Sequence, residues 1–173
     1  VSESELVRQR EFAARVRQFP DRPQTFHIVT MGCQMNERDS ETIAGMLAGM
    51  GMRPEAVREK AGLILYNTCC VRENAENRAL GNVIWLKELK KERPELLICV
   101  GGCMAQEAGM AERMKAMYPF IDLVFGTHNM HRLPEYLLRV LESRHPVVEV
   151  LESDGVIVEG LPQERARAFS AFV

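Results

Sequence analysis

Cys33, Cys69, Cys70, Cys99 and Cys103 are the residues whose types and placement could do chemistry in this chain. Three of them close apolar runs. Thr25–Thr30 leads through Met31–Gly32 to Cys33, Leu63–Tyr66 leads through Asn67–Thr68 to Cys69, and Leu96–Val100 leads through Gly101–Gly102 to Cys103. Each reads as a strand that delivers a thiol to the start of a helix. A helix N-terminus favours the thiolate, the form that binds metal or attacks, and glycine lets the backbone approach a bound object closely. An odd number of cysteines spread through 173 residues does not describe a secreted disulfide framework.

Three objects compete for these thiols: a zinc ion, a redox-active pair such as Cys99–Cys103, and an iron–sulfur cluster; no site at all is the fourth reading. The chain has no C-x-x-C pair, and the residues nearby supply no convincing fourth zinc ligand. Three thiolates from separate loops can hold a larger cluster and leave one iron open. Spacing alone leaves the choice open. Cys99, inside an apolar run, reads as a small buried hydrophobe. Cys70 points away from whatever Cys69 faces, because neighbouring side chains of an extended segment alternate.

The elements that must position the cysteines follow from the pattern. Strands are expected at Thr25–Thr30, Leu63–Asn67, Leu96–Gly101 and Ile121–Phe125, with Val147–Leu151 as a fifth. Between them fall helices: from Asn36 or Asp39–Ser40 to Ala48, from Arg72 to Arg93, from Ala105 to Met117 and from Leu133 to Leu141. The longest carries Leu80, Val83, Ile84, Leu86 and Leu89 on one face, and Pro94 stops it. Strands that are apolar throughout and alternate with helices indicate a parallel sheet covered on both faces. With right-handed crossovers the fold class is α/β: an open doubly wound parallel sheet of four to five strands, flavodoxin- or Rossmann-like, in three layers. Ligands of such sheets bind outside the carboxyl ends of the strands, where Cys33, Cys69 and Cys103 fall. Residues 1–23 read as an N-terminal helical extension, with Ser2 and Glu5 as a capping box and Pro20 and Pro23 as the boundary. Residues 24–142 form the main unit, and 143–173 a linker or the start of a further domain.

Composition bounds the rest. A net charge of −2 gives no global electrostatic case for nucleic acid. No apolar run approaches a membrane span and the start lacks a signal-peptide core, so a cytoplasmic address is the default.

Three segments carry a resemblance. Thr30–Met31–Gly32–Cys33–Gln34–Met35–Asn36–Glu37, Asn67–Thr68–Cys69 with Val71–Arg72–Glu73–Asn74–Ala75, and Gly101–Gly102–Cys103–Met104–Ala105–Gln106 resemble the signature segments of the N-terminal domain of radical S-adenosylmethionine methylthiotransferases. The Gly–Cys–Gln–Met–Asn form is similar to the branch that converts N6-isopentenyladenosine beside the anticodon of tRNA to its 2-methylthio derivative. Other branches act on threonylcarbamoyladenosine in tRNA or on a ribosomal protein, and a non-catalytic α/β redox or zinc-binding module is the reading from outside the family. The resemblance implies that Cys33, Cys69 and Cys103 ligate an auxiliary [4Fe–4S] cluster that carries the sulfur to be transferred. It assigns no role to Cys70 or Cys99. Asn36 and Asn74 read as helix caps, or as contacts to substrate or to the surroundings of the cluster. Arg72 reads as a phosphate-steering or charge-compensating cation, or as half of a surface ion pair. The family's second [4Fe–4S] cluster, which binds S-adenosylmethionine, needs a C-x-x-x-C-x-x-C motif. Here Gln106 stands where Cys99-x-x-x-Cys103 would need a third cysteine. The chain therefore reads as the cluster-bearing part of such an enzyme, inactive alone, with the radical domain and the tRNA contacts of the full protein lying beyond it.

Overall fold

Runs of valine, leucine and isoleucine without polar alternation must be buried on both faces, and that is how the sheet of this chain is built. The computed structural model describes residues 1–32, 34–69 and 73–150; within 73–92, side chains are described at 81 and from 84 onward. The elements are α1 (Glu3–Gln18), β1 (Thr25–Thr30), α2 (Gln34–Gly49), β2 (Arg53–Pro54), β3 (Leu63–Thr68), α3 (Glu73–Glu92), β4 (Leu97–Gly102), α4 (Cys103–Gln106), α5 (Met110–Met117), β5 (Leu123–Phe125), α6 (Leu133–Ser143) and β6 (Val147–Glu149). All pairings are parallel, and the strand order is β2-β1-β3-β4-β5-β6. This is the flavodoxin-like order with a sixth strand added.

The strands sort their side chains by period two. Leu63, Leu65, Leu97, Cys99, Leu123 and Phe125 face the layer of α1, α2 and α6. Ile64, Tyr66, Ile98, Val100 and Val124 face the layer that includes Leu86 of α3, Met104 and Ala105 of α4, and Met110 and Met114 of α5. Every residue of β3 and β4 is buried. These central strands carry two of the three candidate cysteines at their ends.

Four local expectations change. The sheet has six strands rather than four or five, because Arg53–Pro54, expected as a polar connection, pairs with Thr25–Phe26 at the edge. The bonds come from Arg53 N to Gln24 O (2.9 Å) and Glu55 N to Phe26 O (2.8 Å), so Pro54 removes no donor that the edge needs. The helix expected from Ala105 to Met117 is broken into α4 and α5, and Gly109 adopts the left-handed conformation (φ 76°) ahead of α5. Helix α2 starts at Gln34, which places Asn36 inside it rather than at its cap. On α3, Leu86 is buried but Ile84 is half exposed beside Trp85, whose ring takes the Arg58 guanidinium on its face at 4.7 Å.

Helix α1 lies against α6. Val16 is fully buried in the core, with Phe12 and Ala13 packed beside it. Gln9 donates to Glu5 (2.8 Å) and Glu135 (3.2 Å), and Arg15 pairs with Glu142 at 2.7 Å. Ser2 caps the helix by accepting from Glu5 N (3.2 Å), while the Glu5 carboxylate turns to Gln9 and to Arg132. The extension is thus a packed helix, held to α6 along its length.

Candidate metal centre

The site is built at the carboxyl ends of β1, β3 and β4. In a sheet of this order the crevice opens where the strand sequence reverses, between β1 and β3. The ends are in register there. Thr30 pairs with Asn67, Asn67 with Gly101, and Thr68 with Gly102. Met31 N then donates to Asn67 O (2.8 Å) and carries the β1–β3 ladder one residue past the strand. Cys69 follows Thr68 and Cys103 follows Gly102, so the two cysteines stand one residue beyond a paired position on neighbouring strands, which run about 4.8 Å apart.

Two glycines close the loops onto the end of β3. Gly32 has φ 135°, and a Cβ there would run into the Cβ of Cys69 and lie 2.7 Å from Asn36 Oδ1. Gly102 has φ 104°, and a Cβ there would run into Thr68 O and lie 2.7 Å from Asn67 Oδ1. Both loops approach β3 by backbone alone. Gly101 serves another contact: its missing side chain leaves room for the Phe125 ring.

The polar groups under the loops are buried and paired, as burial requires. Asn36 Nδ2 donates to Asn67 Oδ1 (3.2 Å) and Thr68 O (3.1 Å). Asn67 Nδ2 donates to Asn36 O (2.8 Å) and Ser40 Oγ (3.0 Å). Thr30 and Ser40 hydroxyls lie 2.7 Å apart, and Thr68 Oγ1 donates to Gly101 O (2.8 Å). Cys69 is buried. Cys103 is half buried at the start of α4, with Thr127 Oγ1 directed at its sulfur at 3.9 Å.

Cys69 and Cys103 are therefore brought to one end of the sheet. Cys33, Cys70 and Arg72 lie outside the described residues, as does the side chain of Asn74, whose backbone is in the first turn of α3. Of the two roles open to Asn36, the cap is excluded by its place inside α2; its amide bridges to β3. Cys99 is fully buried among the residues facing α1, α2 and α6, and forms no disulfide with Cys103. Burial, reinforced by the Asp122 carboxylate, pushes its thiol far above the ordinary range. Sequence reasoning missed Asn67, Ser40 and Thr68. The available signal was two polar residues ending an otherwise apolar strand directly ahead of a candidate ligand.

The donor chemistry can be tested against the groups in competition. Among the described residues no three histidine, cysteine, aspartate or glutamate side chains gather as a metal site. His27 is engaged elsewhere, its Nδ1 bonded to Glu55 O at 2.8 Å. Sulfur is what this end of the sheet offers, on loops whose glycines admit a close approach. A thiolate-ligated iron–sulfur group fits such a donor set better than a hard cation does.

A parallel α/β sheet of flavodoxin-like order, with thiols beyond adjacent strand ends, is the class this fold and site define. Residues 25–126 match the model of the uncharacterized protein family UPF0004, and the chain belongs to that family. It is 51% identical over 148 residues to a tRNA-2-methylthio-N(6)-dimethylallyladenosine synthase of Clostridium perfringens (strain SM101 / Type A), covering 86% of this chain and 33% of that protein. Proteins of the same name from Clostridium tetani and Caldicellulosiruptor saccharolyticus are 48% and 46% identical over 149 residues, covering 86% of this chain and 33% and 32% of those proteins. The chain thus spans about a third of the length of the curated relatives it matches.

Proposed function

We propose that this chain holds a [4Fe–4S] cluster through Cys33, Cys69 and Cys103, and that it is the cluster-bearing part of a tRNA methylthiotransferase. The single observation that carries the reading is the in-register ending of β3 and β4, which delivers Cys69 and Cys103 side by side at the strand ends. The names of the relatives point to N6-isopentenyladenosine in tRNA, also called dimethylallyladenosine, as the substrate and to its 2-methylthio derivative as the product. The cluster, when bound, would supply the sulfur that is transferred. The chain's own residues would hold that group at the strand ends, with three cysteines as its ligands, and the glycine-bearing loops would admit it closely. Asn74 and Arg72 are the residues of the Cys69 segment proposed to face substrate or compensate charge. Generating a radical from S-adenosylmethionine needs a second cluster, and with Gln106 in the third position Cys99-x-x-x-Cys103 does not make its motif. The 173 residues alone are accordingly proposed to be inactive. The working partition is an extension at 1–23, the cluster-bearing unit at 24–142 and an onward segment at 143–173, whose β6 pairs with β5. Among the described residues no helix is long and apolar enough to cross a membrane, and the cytoplasm, where tRNA is modified, is the proposed location.

Anaerobic reconstitution with iron and sulfide tests this reading. The wild-type chain is expected to take up one cluster, seen as about four irons and four sulfides with a reduced-state paramagnetic signal. The triple variant Cys33→Ala, Cys69→Ala, Cys103→Ala is expected to take up none. Equal uptake by both would remove the site, and zinc or unmodified thiols in the wild type would favour a binding module instead.

A further inference from the structure

We infer that Asn67 is the positioning residue of the three-cysteine site: its side chain sets the mutual placement of the loops that carry Cys33, Cys69 and Cys103. The inference rests on the cysteine reading above and adds to it a residue that ligates nothing. Asn67 occupies the middle strand position, paired to Thr30 of β1 on one side and to Gly101 of β4 on the other. The residue is 1% exposed; its amide bonds to α2 and packs toward the backbone of β4 at Gly102. The Nδ2 group donates to Asn36 O and Ser40 Oγ, fixing the first turns of α2 immediately after Cys33. The Oδ1 atom accepts from Asn36 Nδ2, which also donates to Thr68 O, one residue ahead of Cys69. On its other side, Oδ1 lies 2.7 Å from where a Cβ on Gly102 would sit, one residue ahead of Cys103. One amide, two residues ahead of Cys69, therefore holds the first turns of α2 that follow Cys33 and lies close to the Gly102 position that precedes Cys103.

Residues that orient metal ligands without touching the metal are worth about 10–100-fold in affinity. Asn67→Asp is the shape-conserving test, because it removes both Nδ2 donations and leaves Oδ1. The readout needs a probe independent of iron. Arsenite serves: As(III) is held by three thiolates, each As–S bond forming as an arsenic hydroxyl and a thiol proton leave as water. On the metal-free 173-residue chain, wild type is expected to bind one arsenite, and each of Cys33→Ala, Cys69→Ala and Cys103→Ala to lose that tight binding. Asn67→Asp is expected to weaken arsenite binding by about tenfold or more, with each thiol's rate toward a one-thiol alkylating agent much less changed. A purely structural role would instead lower the melting temperature and raise all thiol rates together. The reconstituted cluster of the variant is expected to show an altered paramagnetic signal and faster loss to a chelator. Ser40→Ala, which removes the hydroxyl that accepts from Asn67 and also meets Thr30, is the second variant if Asn67→Asp does not fold; a several-fold loss of arsenite affinity is expected. Wild-type affinity in Asn67→Asp, or in Ser40→Ala where the first variant does not fold, overturns the inference and leaves the three-cysteine site standing. If wild type binds arsenite no better than the cysteine variants, the site itself fails and the role of Asn67 falls with it.

Discussion

Gly102 and Gly109 both have positive φ, yet they bear different burdens. At Gly102 the backbone sits at φ 104°, ψ −170°, a region essentially closed to side chains, and a Cβ would strike the Thr68 carbonyl. At Gly109 (φ 76°, ψ −4°) a Cβ would meet nothing within 4 Å. Gly109→Ala is expected to cost about 1 kcal/mol for the left-handed backbone alone. Gly102→Ala adds overpacking and is expected to cost at least about 2 kcal/mol. Urea denaturation of the two variants beside wild type checks the difference. The strand-end placement of Cys69 and Cys103 was legible at this scale because a thiol after an apolar run is a local pattern. Of the two readings of Asn36, the cap fails: local spacing suits it, whereas the partners of the side chain, Asn67 and Thr68, are distant in sequence and adjacent only after β1 and β3 pair.

Among the elements, α3 is tied to the sheet by a polar contact as well as by the buried Leu86. Lys90, in the last turn of α3, donates to Asp122 Oδ2 at 2.6 Å and to the Leu96 carbonyl, while Asp122 also accepts from Ile98 N at 2.8 Å. Burial raises the Asp122 carboxyl above its ordinary value, and the Lys90 ammonium works against that rise. Lys90→Met removes the cation from a pair whose side chains are 18% and 19% exposed and is expected to destabilise by about 2 kcal/mol. Asp122→Asn keeps an acceptor for Ile98 and is expected to cost less; thermal melting of the two variants decides. Lys90 was legible only as a charge suited to a helix C-terminus. The long apolar strands were visible because both faces are buried and nothing polar interrupts them. The short β2 was not: two residues carry no periodicity, and proline argues against a strand until its edge position is known. The break between α4 and α5 had a local signal in Gly109, outweighed by the apolar spacing on either side.

For the molecule as a whole, acid sensitivity enters through the seam of α1 and α6. His131, in the turn ahead of α6, is buried, and burial holds its imidazole below the ordinary value of 6.5; the Glu5 carboxylate of α1 opposes that shift and the Arg132 cation adds to it. The unfolded chain then binds a proton that the folded one does not, so stability is complete above pH 6.5 and falls as pH drops from there through the lower folded value. His131→Leu is expected to flatten the dependence of the urea midpoint on pH below that value. An unchanged slope would assign the acid sensitivity to other groups. The three-layer order was readable from the sequence, since strands and helices alternate along it. That α1 would be held onto α6 by Gln9 and Arg15 was not, because those contacts join the first and last helices of the described chain.

Cys99 gives this architecture its own gauge. Its sulfur sits in the central sheet with no exposed surface and a thiol that resists ionisation, so an alkylating reagent reaches it only when the sheet opens. In one labelled sample the thiols at the strand ends would record whether the site is occupied, and Cys99 would record how often the whole fold comes apart. Occupancy and global opening can thus be timed separately within one chain, without adding a reporter.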